Sequence, residues 1–199
     1  GRAIDIGRYI SVFAGVQTFF NNIDETGFGY HANGAGYYAG YYSTLPVQSA
    51  PTNKVADSAI QPFKLSKTKL NSLAKYSMIA YKEKNGVLRF SDAPTAARKG
   101  SDFRRLTTIR VVNEVIDAIR DIAEPYIGEP NTASARQSLQ SNISLELGKM
   151  QNLGVIQRFE AKVSASIKQQ IEGDATVELI IVPPFELRKI HVITSLAKQ

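Results

Sequence analysis

The feature that most limits what this chain can fold into is a change of apolar spacing across its second half. From residue 103 to 123, apolar side chains recur at Leu106, Ile109, Val112, Ile116, Ile119 and Ile122 or Ala123. Steps of three and four predict a helix with one buried face. Ser101 or Asp102 stands where a cap is needed, and Pro125 and Gly128 mark the end. After Glu129-Pro130-Asn131-Thr132 the same spacing returns at Leu139, Ile143, Leu147, Met150 and Leu153, and stops at Gly154. Two helices joined by so short a loop are expected to pack antiparallel. The spacing then falls to two: residues 159, 161, 163, 165, 167 and 171 are apolar and the even positions 160–172 are polar. That predicts a half-buried strand over 159–172. Thr176–Val182 is expected to be a second strand, broken by Pro183-Pro184, and residues 186–195 a third. Two helices followed by three strands make a small α+β unit, helices on one face of the sheet.

The first half is less regular. Residues 4–16, rich in β-branched and aromatic side chains, are expected to form a central strand, and 19–29 a loop. Residues 32–45, with tyrosines at 37, 38, 41 and 42, predict a short helix. A long surface connection over 46–62 leads to a helix over Lys67–Lys75, capped by Ser66, with Leu70 and Leu73 facing inward. Residues 76–81 and 86–90 flank Asn85-Gly86, a strong hairpin signal. Residues 91–100 read as a mobile crossing between two units, 1–100 and 101–199. Gly1 in place of methionine, with an apolar segment directly behind it, suggests a piece of a longer protein.

Composition removes several function classes. With no cysteine there is no disulfide framework, thiolate metal site or cysteine nucleophile. His31 and His191 are too far apart in sequence for a His-x-x-x-His zinc motif, and no Gly-x-Ser-x-Gly elbow exists for a serine nucleophile. Both histidines read more simply as packed or hydrogen-bonded groups. Asp121, Glu124 and Glu129 surround a helix corner, where carboxylates are normally solvated. Gly34 to Gly40 misses the Gly-x-Gly-x-x-Gly spacing by one, and no Gly-Lys-Ser/Thr follows, so these glycines read as a helix opening. No run approaches the roughly 18 apolar residues of a membrane span. The excess of 24 Lys and Arg over 18 Asp and Glu permits an acidic partner without requiring one. The remaining feature is C-terminal. Ile180, Ile181, Val182, Ile190, Val192 and Ile193 crowd into strands that a neighbouring chain's sheet can accept, or that pair within their own sheet.

The motifs Asp5-Ile6-Gly7-Arg8-Tyr9-Ile10-Ser11-Val12, Gly34 to Gly40 running into Leu45-Pro46, and Ser49 to Lys54 resemble the later core of contractile bacteriophage tail sheath proteins. Arg104-Arg105-Leu106, Glu129-Pro130-Asn131, Gly154 and Val182-Pro183-Pro184 resemble their C-terminal domain. Where the family often has a Trp-Gly-Ala-Arg-Thr-like segment, this chain has Phe90 to Thr95, which marks a divergent member.

The resemblance implies part of an α/β sheath core domain over 1–100, with an N-terminal arm and earlier core missing, then the sheath C-terminal domain over 101–199. It implies a structural, non-enzymatic subunit without cofactor or metal. Such subunits polymerise as hexameric rings or a helical sheath around a tail tube and contract to drive the tube through a host envelope. The implied setting is the virion, with assembly in the host cytoplasm. Baseplate and tail terminator are further partners, with no direct nucleic acid contact and no membrane insertion. Subunits of this kind exchange terminal strands. Here the resemblance assigns the linkage to Thr176, Val177, Glu178, Leu179, Ile180, Ile181, Val182, Leu187, Ile190, Val192 and Ile193. Arg98, Lys99, Arg104, Arg105 and Arg110 become candidates for touching an acidic tube. The alternatives are the sheath of a phage-derived bacteriocin or injection device, a basic nucleic-acid-binding module, and an α/β enzyme.

Overall fold

The computed structural model describes residues 5–20, 29–57, 59–188, 190 and 191. It opens with a 3-10 turn, Ile6–Tyr9, then β1 (Val12–Phe13), β2 (Val16–Phe20) and β3 (Gly29–Asn33). The long strand expected over 4–16 is therefore broken. A Cβ on Gly7 would collide with the Ala96 carbonyl, so this stretch folds down on the later crossing. There the Ala96 amide donates to the Ile10 carbonyl (2.8 Å) and Ser11 Oγ to that of Pro94 (2.6 Å). β2 and β3 pair antiparallel, from Val16↔Asn33 to Phe20↔Gly29. Residues 21–28 of the expected loop lie outside the described residues.

The helix α1 (Ala35–Ser43) forms as the tyrosine spacing predicts. Gly34 is required before it, since a Cβ there would meet the Tyr81 hydroxyl at 2.7 Å and the Phe13 ring at 2.9 Å. The helix α2 (Lys67–Lys75) starts at Ser66, whose hydroxyl accepts the Lys69 amide at 3.3 Å. Leu70 and Leu73 are only half-buried. β4 (Met78–Ile79) pairs parallel with β1. β5 (Tyr81–Lys84) and β6 (Val87–Phe90) make the expected hairpin. Asn85 (φ 54°) and Gly86 (φ 76°) take the two left-handed positions of a type I′ turn.

This half closes on aromatic rings from four elements. Phe13 meets Tyr81, and Tyr38 meets Phe90, each edge-on at 5.0 Å, the geometry favoured by ring quadrupoles. Ala56 and Ala59 pack into the same cluster, so the 46–62 connection is not confined to the surface. The crossing at 91–100, expected to be mobile, is deeply built in: Ala93 and Thr95 are fully buried. The Thr95 amide donates to the Arg104 carbonyl (2.9 Å) and its hydroxyl to that of Phe103 (2.6 Å).

Those bonds and the bridge of Arg105 to Pro94 keep 103–105 out of the helix, with Arg105 extended, so α3 (Leu106–Ala123) begins after Arg105 rather than at Phe103, and without a side-chain cap. The helix α4 (Ala133–Asn152) begins at Thr132, which accepts the Ala135 amide at 3.1 Å. Val111 and Val115 of α3 pack with Leu139, Ile143, Leu147 and Met150 of α4, and with Ile156 and Val163. The buried face of α3 is thus turned toward Thr108, Val111 and Val115. Val112 is left half-buried and Ile116 exposed, and on α4 Leu153 is exposed, against expectation.

The strand β7 (Arg158–Ser164) is shorter than the predicted 159–172. Ser166 and Gln169 form a reciprocal capping box that starts α5 (Ile167–Glu172), and Gly173 ends it at φ 80°. Ile167 and Ile171 are exposed on it. Two satisfied amides outweigh a weak period-two pattern. β8 (Thr176–Val182) has its predicted bounds and pairs antiparallel with β7 over seven residues. Residues 183–188, 190 and 191 form no strand, so the described part of the third predicted strand is absent. Val192 and Ile193 lie outside the described residues. The fold class remains α+β, with helices on one face of a small sheet. Replacing the fully buried Ile143 by alanine should cost about 3 kcal/mol in urea unfolding. The exposed Leu153→Ala should change stability by under about 0.5 kcal/mol.

Candidate interaction site

The sheet of β7 and β8 has two unequal edges. Against β7 lies α4, and the Val163 amide donates to the Gln140 side chain of that helix at 3.1 Å. Val177, Leu179 and Ile181 of β8 turn toward the helical core, while Thr176, Glu178 and Ile180 face out. Among the described residues, no strand pairs with β8 other than β7. Its far side borders a groove of about 680 Å³. Phe103, Val112 and Ile116 supply one wall, and Leu179, Ile181 and Phe185 the other. An open strand edge beside an apolar groove is what strand addition requires: main-chain hydrogen bonds on one side, pockets for alternate side chains on the other.

Beyond Pro183-Pro184 the chain runs as a strap with inverted polarity. Phe185, Leu187 and Ile190 are exposed. Glu186, by contrast, is only 9% exposed and ion-pairs with Arg105. Its other oxygen accepts the Thr107 hydroxyl at 2.6 Å. Arg105 also donates to Asp92 Oδ1 (2.8 Å), and Arg188 donates to Asp92 Oδ2 (2.6 Å). Burial alone would raise the Asp92 carboxyl. The Arg105 hydrogen bond and charge, the Ala93 amide and Arg188 outweigh it and hold the carboxyl below its ordinary value. This cluster ties together the crossing, the start of α3 and the strap. Sequence reading missed Asp92, Thr107, Glu186 and Arg188. The available signal was the alternation Phe185-Glu186-Leu187-Arg188, in which charged and apolar side chains take turns.

The five basic candidates divide. Arg105 sits in this cluster, 17% exposed. Arg110 lies 4.5 Å above the Tyr42 ring and donates to the Tyr42 and Leu45 carbonyls (3.1 and 3.2 Å) at and just beyond the end of α1. Arg98, Lys99 and Arg104 face solvent. Of the strand residues, Thr176 to Val182 form β8, Leu187 and Ile190 lie on or after the strap, and Val192 and Ile193 fall outside the described residues. His31 shares a 3.1 Å contact with the Thr18 hydroxyl, and His191 is exposed. Asp121, Glu124 and Glu129 are all exposed. Among the described residues no three metal-ligating side chains converge, and no helix is long and apolar enough to cross a membrane.

Two outcomes follow from the charge cluster. Arg105→Ala leaves two largely buried carboxylates without their shared partner and should cost about 3–5 kcal/mol in denaturant unfolding. Asp92 has a lowered folded value, so its stabilisation is present above the unfolded carboxyl range near pH 4 and disappears as pH falls through the folded value. Asp92→Asn should therefore be less stable than the native chain at pH 7, and thermal melts should show the gap closing below about pH 4.

Residues 98–192 match the family model described as the phage tail sheath C-terminal domain. No curated protein matches the sequence. Among solved structures, the anti-feeding prophage helical sheath in its contracted state aligns with a TM-score of 0.80 and 14% identity, over 98% of this chain and 58% of that one. The sheath complex of the extracellular contractile injection system PVC, also contracted, gives 0.77 and 16%, over 94% and 56%. The sheath tail protein of Desulfitobacterium hafniense gives 0.64 and 15%, over 88% and 45%. The chain spans a little over half the length of the anti-feeding prophage and PVC proteins it matches. At these identities the likeness is one of fold. Residues 98–192 are thus similar to the phage tail sheath C-terminal domain, and the chain as a whole has the fold of these contractile-sheath subunits.

Proposed function

We propose that the chain is part of a structural subunit that polymerises into a contractile sheath around a tail tube, linked to its neighbours by exchanged strands. The observation that carries this reading is the edge of β8 that no strand among the described residues pairs, beside the apolar groove of α3. A strand from a second subunit placed there satisfies the edge and buries Ile116, Leu179 and Phe185 in one step. Adhesion through main-chain groups depends little on side-chain identity. The same linkage therefore tolerates the 14% and 16% identities seen with the sheaths of the anti-feeding prophage and PVC systems.

The donated segment is the chain that follows the strap, including Ile190, Val192 and Ile193. In this reading the strand links persist through contraction as a hinged mesh, and polar contacts between subunits break and re-form. Arg98, Lys99 and Arg104 face solvent and can meet an acidic tube, whereas Arg105 and Arg110 are engaged inside the chain. Ring symmetry is taken as six-fold, as in the anti-feeding prophage baseplate structure, which is six-fold symmetrised. The role is mechanical and not catalytic, within a virion or extracellular particle assembled in the producing cell. A bacteriophage tail and a phage-derived injection device use the subunit in the same way.

Deleting residues 187–199 from the full-length subunit should abolish hollow striated tubes in electron micrographs while leaving soluble protein. Normal sheaths from that truncation would overturn strand exchange. Ile116→Asp, which places a charge in the groove without touching the core, should likewise suppress tube formation; its helical circular dichroism should stay unchanged.

A further inference from the structure

The strap that follows β8 is fastened in an unusual way. An extended surface segment normally turns apolar side chains in and charged ones out. Here Glu186 turns in and the half-exposed Arg188 reaches back to Asp92, while Phe185 and Leu187 are exposed. The inward side is anchored to three separate stretches of chain. Glu186 Oε1 accepts from Thr107 on α3, and Oε2 from Arg105 and, at 3.5 Å, from Thr52. Asp92, whose Oδ1 also accepts the Ala93 amide at 2.9 Å, takes Arg105 on one oxygen and Arg188 on the other. Two carboxylates face two guanidiniums, so the cluster is electrically closed.

We infer that this cluster is a latch: Arg105, Asp92, Glu186 and Arg188 lock the strap to the subunit body, so that the donated part of the C-terminal arm begins only after Arg188. The inference deepens the strand-exchange reading and rests on it for the word "donated", though the latch itself is a property of the single subunit. Its mechanical sense follows from the ladder it protects. A pull on the chain leaving Val182 would peel β8 from β7 one hydrogen bond at a time, starting at Arg158↔Val182. With the latch closed, the same pull loads several charge-assisted bonds together, and the ladder behind them is shielded. The latch also sets geometry. Pro183 and Phe185 form one wall of the groove beside β8, and the side chain immediately after them, Glu186, is the one most tightly held. Glu186 and Arg188 are therefore positioning residues for the groove rather than contacts to an incoming strand.

The chain contains no cysteine, so a single Leu187→Cys, at a position 80% exposed, takes a nitroxide spin label cleanly. The measurement is electron paramagnetic resonance on the soluble subunit, with and without Glu186→Ala/Arg188→Ala, and with Glu178→Ala as a control carboxylate outside the latch. The labelled native subunit should give a slow, restricted spectrum. The double variant should give a mobile spectrum with rotational motion about tenfold faster, and the control should match the native. If the double variant fails to fold, Glu186→Gln, which keeps shape and removes charge, is read in its place. A label already mobile in the native subunit, or one unmoved by opening the cluster, overturns the latch whatever polymers form. A released label in the variant supports it even if truncation of 187–199 leaves sheaths intact, an outcome that would sink strand exchange alone.

Discussion

A two-stranded sheet is not a finished structure. Each strand carries main-chain donors and acceptors along both edges, and one shared ladder satisfies only half of them. In this chain the deficit is unevenly distributed. β7 lies against α4, with an amide taken by Gln140, whereas among the described residues β8 has an open flank beside a groove built from α3. The rest of the second half can be understood as support for that flank. The α3 and α4 core around Val111, Val115 and Ile143 holds the sheet from beneath, and the turn of α3 that buries Thr108 leaves Val112 and Ile116 to line the groove.

The first half serves the same flank indirectly. The aromatic cluster of Phe13, Tyr38, Tyr81 and Phe90 fixes α1 and the β5–β6 hairpin, and the hairpin's last strand leads into the buried crossing at Asp92 to Ala97. That crossing hands Asp92 to Arg105, and Arg105 reaches Glu186 on the strap. A continuous chain of contacts therefore connects the aromatic core to the wall of the groove. The buried guanidinium is at its centre, because the carboxylates on either side of it would otherwise stand largely buried without a counter-charge.

Much of this was legible in the sequence wherever a local rule was strong. The period of α3 and α4, the Ser66 cap, the Asn85-Gly86 turn and the bounds of β8 all follow from spacing, capping and turn chemistry that act within a few residues. Legibility failed where distant chain decided. Nothing near Gly7 announces the Ala96 carbonyl above it, and nothing near Arg105 announces that residues 103–105 will be held out of the helix by Thr95. At 165–172 the failure was local: a period-two pattern competed with a Ser166–Gln169 capping box, and the hydrogen bonds prevailed. The candidate site was half legible. The adhesive strand stood out by composition, but the groove depended on a rotation of α3, and the strap inverted the usual sense of inside and outside.

The central claim is that β8 is completed by another molecule. Hydrogen exchange on the amides of Val177 to Ile181, compared between dispersed subunits and assembled polymer, tests it at the atoms concerned. The account predicts outward amides that exchange rapidly in the dispersed subunit and gain strong protection on assembly, while β7 amides change little. Equal protection of β8 in both states would mean that the strand is already complete within its own chain, and would contradict the account.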